Sequence, residues 1–493
     1  MTIAALIHIL NPLRVFGPVD GIAGGLRDDS RKVTSGDTFI AVKGTDVDGH
    51  DYIGKALENG ASVIIASQDP SNESEITATW IVCKDTREVL APLAMEFAEN
   101  PQRKLTLIGV TGTNGKTTVT TLIWQVMMQL GYRAALLGTV SKQIADQTFA
   151  SNLTTPGAIE LANDMKLAVE AGCRYFIMEV SSHALDQGRA KGLDFEVAVF
   201  TNLTHDHLDY HKSLEQYATS KKLLFDGLGE HATAIVNIDD SYGSYMVSGT
   251  KATIWDLTLK SEDYYIHSVD KNGILVNLDG IYIESPLTGE FNAYNVSQAF
   301  LALVAAGVPA KDAARGLAEA RGAAGRLERI LVESESDLPS VFVDYAHTPN
   351  ALENVLQTLN GIREPGQKII TVFGCGGNRD RTKRPVMAAV AERFSDDCIV
   401  TSDNPRFEDP QAIVDEVCTG FSADYPYVKE VDRKKAINRA ILHAPNDAII
   451  LIAGKGHEPY QEIQGVRHHL DDREISSQAL LDRARSHGMK GVH

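Results

Sequence analysis

At 493 residues the chain is too long for a single hydrophobic core, and its formal charge of −18, with no run of basic residues, argues against a nucleic-acid-binding surface. Its cysteines (Cys83, Cys173, Cys375, Cys398 and Cys418) lack CxxC or other ligand spacing, which points to reduced, buried thiols. No uncharged apolar run approaches the ~18 residues of a membrane span, so a cytoplasmic protein of about three domains is expected, with neither nucleic acid nor membrane among its partners.

The N-terminal stretch MTIAALIHILNPLR has no basic flank and no small-residue cleavage site, the pattern of an unexported chain. Over residues 1–100, DTFIAVKG and ASVIIAS read as strands around a helix in YIGKALENG, which predicts a small α/β domain. The polar turns at 29–31 and 44–49 have the chemistry to touch a ligand, but turn formation alone accounts for both.

Residues 105–120, LTLIGVTGTNGKTTVT, predict a buried strand that empties through Gly109, Gly112 and Gly115 into a helix. Glycine lets successive backbone N–H groups approach phosphate oxygens, and the helix N-terminus adds its positive dipole. In such a cradle Lys116 neutralises the outer phosphates of a nucleoside triphosphate and Thr117 holds Mg²⁺. The strict G-x-x-x-x-G-K-[ST] pattern is broken at Val110.

Further strands in AALLG, CRYFIMEV, EVAVFTN and TAIVN alternate with helical segments, the mark of a mostly parallel sheet with its site in the loops after the strands. Glu179 ends one strand and is a candidate carboxylate for Mg²⁺, the alternative being an N-cap or a solvated side chain. His207 is either a hydrogen-bonding loop residue or a ligand; zinc is the weaker reading, since His207 and His211 have no cysteine partner and no HExxH pattern. Residues 252–287 predict a small antiparallel patch around a Lys-Asn-Gly turn. Helices from Asn292 and Ala310 then close this region near Gly325-Arg326.

A second α/β unit begins at SVFVDYAHTP and continues through KIITVFG, DCIVTSD and AIILIAG. In its strand-end loops Arg379 and Arg406 are planar forks suited to carboxylates, and Glu458 suits an ammonium; together they describe an amino-acid pocket. Solvated surface ion pairs are the competing reading.

The ordered motifs GVTGTNGKTT, MEVSSHALDQGR, TNLTHDHLDYH, FNAYN, GRLERI, DYAHTP, FGCGGNRDRTKRP, SDNPR and AGKGHE resemble the Mur ligases, ATP-dependent amide-forming enzymes of peptidoglycan synthesis. The resemblance implies an α/β protein of three domains. Residues 1–100 would form a small N-terminal α/β domain for the uridine end of the acceptor. Residues 101–336 would form a central P-loop mononucleotide-binding domain with a parallel sheet, and 337–493 a C-terminal Rossmann-like domain for the amino acid. It places ATP on Gly112, Thr113, Asn114, Gly115, Lys116, Thr117 and Thr118, with Asn295, Arg326 and Asp344. Mg²⁺ falls on Thr117, Glu179 and His207, and on a carbamylated lysine at Lys221, with Lys222 as the adjacent register; Lys116, Glu179, His207 and Lys221 are the implied catalytic set.

By the same resemblance the acceptor, a UDP-N-acetylmuramoyl-dipeptide, falls on Asp28, Ser30, Thr45, Asp46 and Val47 at its uridine end and on Thr154, Thr155, Ser181, Gln187 and Arg189 at its peptide end. The DNPR run (Asp403, Asn404, Pro405, Arg406), with Arg379, Gly454 and Glu458, is that of members that add meso-diaminopimelate; lysine-adding members lack the arginine. A monomer is expected. The alternatives are addition of L-lysine, a folylpolyglutamate synthetase, or a nucleotide-switched regulatory ATPase.

Overall fold

The computed structural model describes residues 1–44, 47–72, 77–151, 153–333 and 337–488. By contact density the chain forms two compact units, Met1–Leu257 with Leu301–Pro309, and Thr258–Phe300 with Ala310–His493. The fold is α/β, and the sheets of each unit position its candidate residues.

The first unit holds two sheets. One joins β1 (Arg14–Phe16), β2 (Leu26–Arg27), β3 (Thr38–Ile40), β4 (Val63–Ala66) and β5 (Thr79–Val82) in the order β1-β5-β4-β3-β2, parallel except for β1. The other contains β6 (Thr106–Thr111), β7 (Ala134–Leu137), β8 (Lys142–Ile144), β9 (Gln147–Phe149), β10 (Tyr175–Glu179), β11 (Val197–Phe200), β12 (Thr233–Asn237) and β13 (Thr253–Leu257). Its order is β13-β12-β11-β6-β10-β7-β8-β9, parallel from β13 to β7 and antiparallel at β8 and β9. The strand of the glycine loop, β6, therefore lies between β10 and β11, whose ends carry Glu179 and the 201–211 loop. Strands flanked on both sides and covered on both faces must be apolar throughout, and β10, β11 and all but the first residue of β6 are buried.

The second unit opens with an antiparallel sheet of β14 (Tyr264–Val269), β15 (Ile274–Leu278) and β16 (Ile281–Ser285), the first two joined through the Lys-Asn-Gly turn. The expected patch from 252 is thus shortened at its start: Thr253–Leu257 is β13 and pairs in parallel with β12. An edge strand is open on one side and exposed along most of its length, so its composition does not reveal its direction.

A six-stranded sheet follows, of β17 (Glu328–Ile330), β18 (Ser340–Asp344), β19 (Ile369–Phe373), β20 (Asp397–Val400), β21 (Tyr427–Lys429) and β22 (Ile449–Ala453). The order is β17-β18-β22-β19-β20-β21, with only β17 antiparallel. Alternate residues feed two cores, Phe342 and Leu451 on one face, Val341, Val343, Ile450 and Ile452 on the other. Each such side chain contributes roughly 1.5–3 kcal/mol by burial. A hairpin, β23 (Tyr460–Ile463) and β24 (Val466–His469), completes the unit. A fully buried ion pair, Arg433 to Asp472 at 2.7 Å, ties the helix Arg433–His443 to the helix Asp472–Gly488.

All five cysteines are free and buried. Burial pushes the Cys375 and Cys398 thiols up to about 12, far from a reactive thiolate. Among the described residues no helix is long and apolar enough to cross a membrane.

Candidate active site

In the first unit β6 ends in Gly112, at φ +145°, where a Cβ would lie 1.8 Å from Thr201 Oγ1; the chain turns there only because no side chain is present. The loop is clamped from the β11 side. Asn202 accepts from the Thr113 amide through its carbonyl (2.8 Å) and from the Asn114 amide through Oδ1 (3.0 Å), while Thr201 Oγ1 donates to Asn114 O (2.6 Å). With those two amides engaged, the anion-attracting end of the motif falls at the start of the helix Lys116–Gln129, where the macrodipole is positive. Thr117 and Thr118 lie in that first turn. Lys116 Nζ folds back to donate to Gly112 O (2.9 Å) and Thr113 O (2.8 Å).

A second lysine reaches the same carbonyl. Lys221, on the helix Leu214–Asp226, is almost fully buried and donates to Gly112 O at 2.7 Å, its ammonium 4.3 Å from the centre of the Tyr217 ring. Burial, reinforced by the charge of Lys116, holds its pKa well below the ordinary lysine value. Lys222 turns outward and pairs with Asp226, so of the two adjacent lysines it is Lys221 that meets the glycine loop. The Tyr217 hydroxyl, 3.2 Å from Thr113 Oγ1, braces the loop, and burial pushes it up to about 12.

Glu179, at the end of β10, is fully buried and accepts from the Thr139 amide (2.8 Å) and hydroxyl (3.0 Å). A Cβ on Gly138 would lie 2.4 Å from Glu179 Oε1, so that glycine makes room for the carboxylate. The residues expected at the peptide end of the acceptor are threaded around it. Thr154 Oγ1 lies 2.9 Å from Thr139 Oγ1, and Thr155 Oγ1 donates to Glu179 O (2.8 Å) and accepts from the Ser181 amide (3.0 Å). Arg189 donates to Thr155 O (2.8 Å) and to Gln187 Oε1 (2.9 Å).

His207 sits half-exposed at φ +53°, 3.6 Å from Asp206, its ring 4.9 Å from that of His183. His211 is buried between the hydroxyls of Ser182 (2.9 Å) and Ser220 (3.3 Å). Burial lowers the pKa of both His183 and His211. Among the described residues no three His, Cys, Asp or Glu side chains converge on a metal position, so Glu179 and His207 do not form a closed cage.

Still in the first unit, a cavity of about 720 Å³ is lined by Asp28, Ser30, Val47, Gln187 and Arg189, joining the turns of the first sheet to residues that follow β10. Thr45 and Asp46 lie outside the described residues. Arg31, Lys32, Lys43, Arg87 and Arg189 give this wall five cations against Asp28 and Asp29, opposite in sign to the whole chain. Burial raises the pKa of Asp28.

In the second unit the ends of β18, β20 and β22 meet. Asp344 is buried and accepts from the amides of Leu327 (2.6 Å) and Ala346 (2.7 Å); burial raises its pKa against the opposing pull of Arg326. Arg326 lies over the Tyr345 ring at 5.1 Å, and Asn295 is buried, donating to Asn292 Oδ1 (2.9 Å). In the DNPR loop Asp403 accepts from the Asn404 amide (2.6 Å) and stands where a Cβ on Gly454 would be 2.7 Å from its Oδ2. Asn404 donates to Glu458 Oε2 (2.9 Å), and Arg406 donates to Gly377 O (2.9 Å), its Nε 3.8 Å from Glu462. Arg379 is exposed on the neighbouring loop.

Sequence reasoning missed four residues here. Lys455 is fully buried and donates to Asn404 Oδ1 (3.1 Å) and Glu458 Oε2 (3.2 Å), linking two expected substrate contacts; only its place inside AGKGHE signals it. Tyr217 and Thr139 stand in none of the ordered motifs quoted above, and Arg384, although inside FGCGGNRDRTKRP, falls in the helix Lys383–Phe394, where an arginine reads as a surface residue.

Family models match in chain order: "Mur ligase family, catalytic domain" over residues 24–98, "Mur ligase middle domain" over 110–303 and "Mur ligase, glutamate ligase domain" over 325–456. The UDP-N-acetylmuramoyl-L-alanyl-D-glutamate--2,6-diaminopimelate ligase of Cytophaga hutchinsonii is 43% identical over 485 residues, 97% of this chain and 99% of the relative. The ligase of the same name from Chlorobaculum tepidum is 42% identical over 465 residues, 91% of each chain. A solved structure of a ligase of that name is 33% identical with a TM-score of 0.71, covering 97% of this chain and 99% of the other. With three family models in order and relatives at this identity over nearly the whole length, the chain belongs to the Mur ligase family.

Proposed function

We propose that this protein is an ATP-dependent ligase that joins meso-diaminopimelate to the D-glutamate side-chain carboxylate of UDP-N-acetylmuramoyl-L-alanyl-D-glutamate, in the cytoplasm, as a monomer built of the three domains 1–100, 101–336 and 337–493. The observation that carries this reading is the DNPR loop. Arg406 is a guanidinium on the same strand-end loop as Asn404, which is bonded to Glu458 and Lys455, so an arginine fork and a carboxylate stand in one loop cluster. Diaminopimelate bears a second carboxylate at its far end and lysine does not, so an arginine there would face lysine's ammonium unpaired.

In the proposed reaction an oxygen of the D-glutamate carboxylate attacks the γ-phosphorus of ATP, the bond to the β-phosphate bridging oxygen breaks, and ADP leaves. Lys116, at the head of the first-unit helix, would stabilise the charge spread over the phosphoryl oxygens. The amine of diaminopimelate then attacks the acyl carbon and phosphate departs. The cationic cavity would hold the uridine diphosphate, and Thr154, Thr155, Ser181, Gln187 and Arg189 the peptide end. Asn295, Arg326 and Asp344 would contact the nucleotide.

The residues present fit Mg²⁺. Among the described residues the Glu179 carboxylate accepts from the amide and hydroxyl of Thr139, and Thr117 adds an oxygen, a small donor set of the kind that suits an ion that retains water. His207 would complete the protein's share, and the ion would supply charge neutralisation at the phosphates. Lys221 would serve as a carbamate, formed when its neutral amine adds to carbon dioxide with release of a proton; its burial and depressed pKa favour that neutral amine.

The test is phosphate release by the purified protein with ATP and the UDP-linked dipeptide, comparing diaminopimelate with lysine. Turnover that needs the acceptor and diaminopimelate together is the expected result. Hydrolysis indifferent to the acceptor would overturn the reading. Arg406→Ala should raise KM for diaminopimelate by at least tenfold and leave that for ATP within twofold; discrimination against lysine equal to that of the wild type would refute the assigned role.

A further inference from the structure

The two arginine forks sit on separate loops, 376–381 after β19 and 403–408 after β20, and a clasp holds the loops together. Gly377 N donates to Asn404 O (2.9 Å), Arg406 Nη1 to Gly377 O (2.9 Å), and Phe407 N to Asn378 Oδ1 (3.0 Å); the Asn378 amide donates to the Glu408 carboxylate. The approach is close enough that a Cβ on Gly377 would lie 2.0 Å from Pro405 O. Behind the loops the fully buried Arg384 donates through Nη2 to both Glu408 oxygens (2.9 and 3.0 Å), with Gly376 O at 3.4 Å, and through Nη1 to Glu416 Oε2 (2.6 Å). Asn378, which precedes Arg379, and Arg406 itself both adopt φ +52°; asparagine enters this left-handed region readily, but for arginine it is uncommon and persists where neighbours impose it.

We propose that Glu408, locked by Arg384, is a positioning residue that fixes the spacing of Arg379 and Arg406 and thereby sets selectivity for an amino acid with a second carboxylate. This rests on the assignment of both arginines to diaminopimelate. A planar fork recognises a carboxylate only in register, and a displacement near 1 Å is enough to forfeit much of that recognition. Glu408 is suited to the task because one of its oxygens binds the backbone immediately before Arg379 while its own backbone lies two residues beyond Arg406. Lose that carboxylate and the left-handed turn at Asn378 can relax, carrying Arg379 with it.

Glu408→Gln and Glu416→Gln each leave the buried Arg384 one carboxylate short, and the second also loosens Arg381 (3.2 Å), but only the first replaces the carboxylate that accepts from the Asn378 amide with a weaker, neutral acceptor. Glu408→Gln is expected to raise KM for diaminopimelate about tenfold, to narrow the preference over lysine, and to leave kcat and the KM for ATP within twofold. Glu416→Gln is expected to lower the melting temperature comparably with no change in KM. A KM for diaminopimelate that rises no more in Glu408→Gln than in Glu416→Gln overturns the proposal. If the glutamine variant fails to fold, Glu408→Asp keeps the charge, shortens the reach by one methylene and is judged by the same comparison. Wild-type protein and Arg406→Ala are assayed alongside. Diaminopimelate use that depends on Arg406 but not on Glu408 refutes only the positioning role, whereas its independence of Arg406 removes the assignment on which that role rests.

Discussion

The Nδ1 atom of His457 is buried with no hydrogen-bond partner among the described residues, and the ring lies 5.5 Å from that of Tyr345. Burial, then the charge of Arg326, lowers its pKa; Arg473 acts in the same direction, with Glu458 and Asp471 opposing. The unfolded imidazole takes up a proton near pH 6.5 and the folded one only at lower pH, so over that interval the unfolded chain binds more protons. The stability His457 contributes is therefore present above pH 6.5 and lost as pH falls through the folded value. Urea midpoints at pH 7.5 and 5.0 should show the wild type losing more stability on acidification than His457→Gln; parallel losses would dismiss the effect. A lone histidine in AGKGHE gives no hint of this, because Arg326 and Tyr345, which act on it, come from a segment far away in sequence. Lys221 was legible only through its motif: its letter is that of a surface lysine, and what sets it apart, the carbonyl of Gly112 and the face of Tyr217, lies on other elements.

Among the strands flanked on both sides, β6, β10, β11, β18, β19 and β22 fall where their apolar runs predict them, whereas β5, fully buried between β1 and β4, was not anticipated. Edge strands were not readable in this way. β13 and β21 are partly exposed and carry no continuous apolar run, and β17 is three residues long, so pairing rather than composition makes them strands. The ends of the central strands also explain a constraint invisible in the sequence. β7 and β10 are parallel neighbours, so the residue after Leu137 faces the end of β10, and the Glu179 carboxylate fills the space a side chain on Gly138 would take. Gly138→Ala should displace that carboxylate from the Thr139 amide and lower kcat by at least tenfold. The sheet itself should survive, because Gly138 lies beyond the ladder, and its backbone is not left-handed. Circular dichroism and steady-state kinetics decide this: full activity in a folded Gly138→Ala protein would remove Glu179 from the reaction.

For the whole molecule, a charge of −18 opposes the approach of any UDP-linked acceptor, while the cavity proposed to receive it is cationic. The two fields differ in range. The global charge is spread over the surface and is felt through roughly 30 Å of water at 0.01 M salt but only about 10 Å at 0.1 M, whereas Arg87, Arg189 and their neighbours act at contact distance inside a cavity, where screening is weaker. Raising salt from 0.01 to 0.1 M should thus remove repulsion before it weakens the pocket. The association rate of the acceptor, followed by stopped flow, is expected to rise severalfold over that interval. Above about 0.3 M the contacts of the cavity are screened in turn, and the dissociation constant should increase. Arg87→Ala should blunt only the second phase, since one cation among 47 lysines and arginines barely alters the global field but removes a fifth of those on the cavity wall. An association rate that falls steadily from 0.01 M upward would mean that the local cations dominate at every distance, and that the acidic surface plays no part in admitting the acceptor.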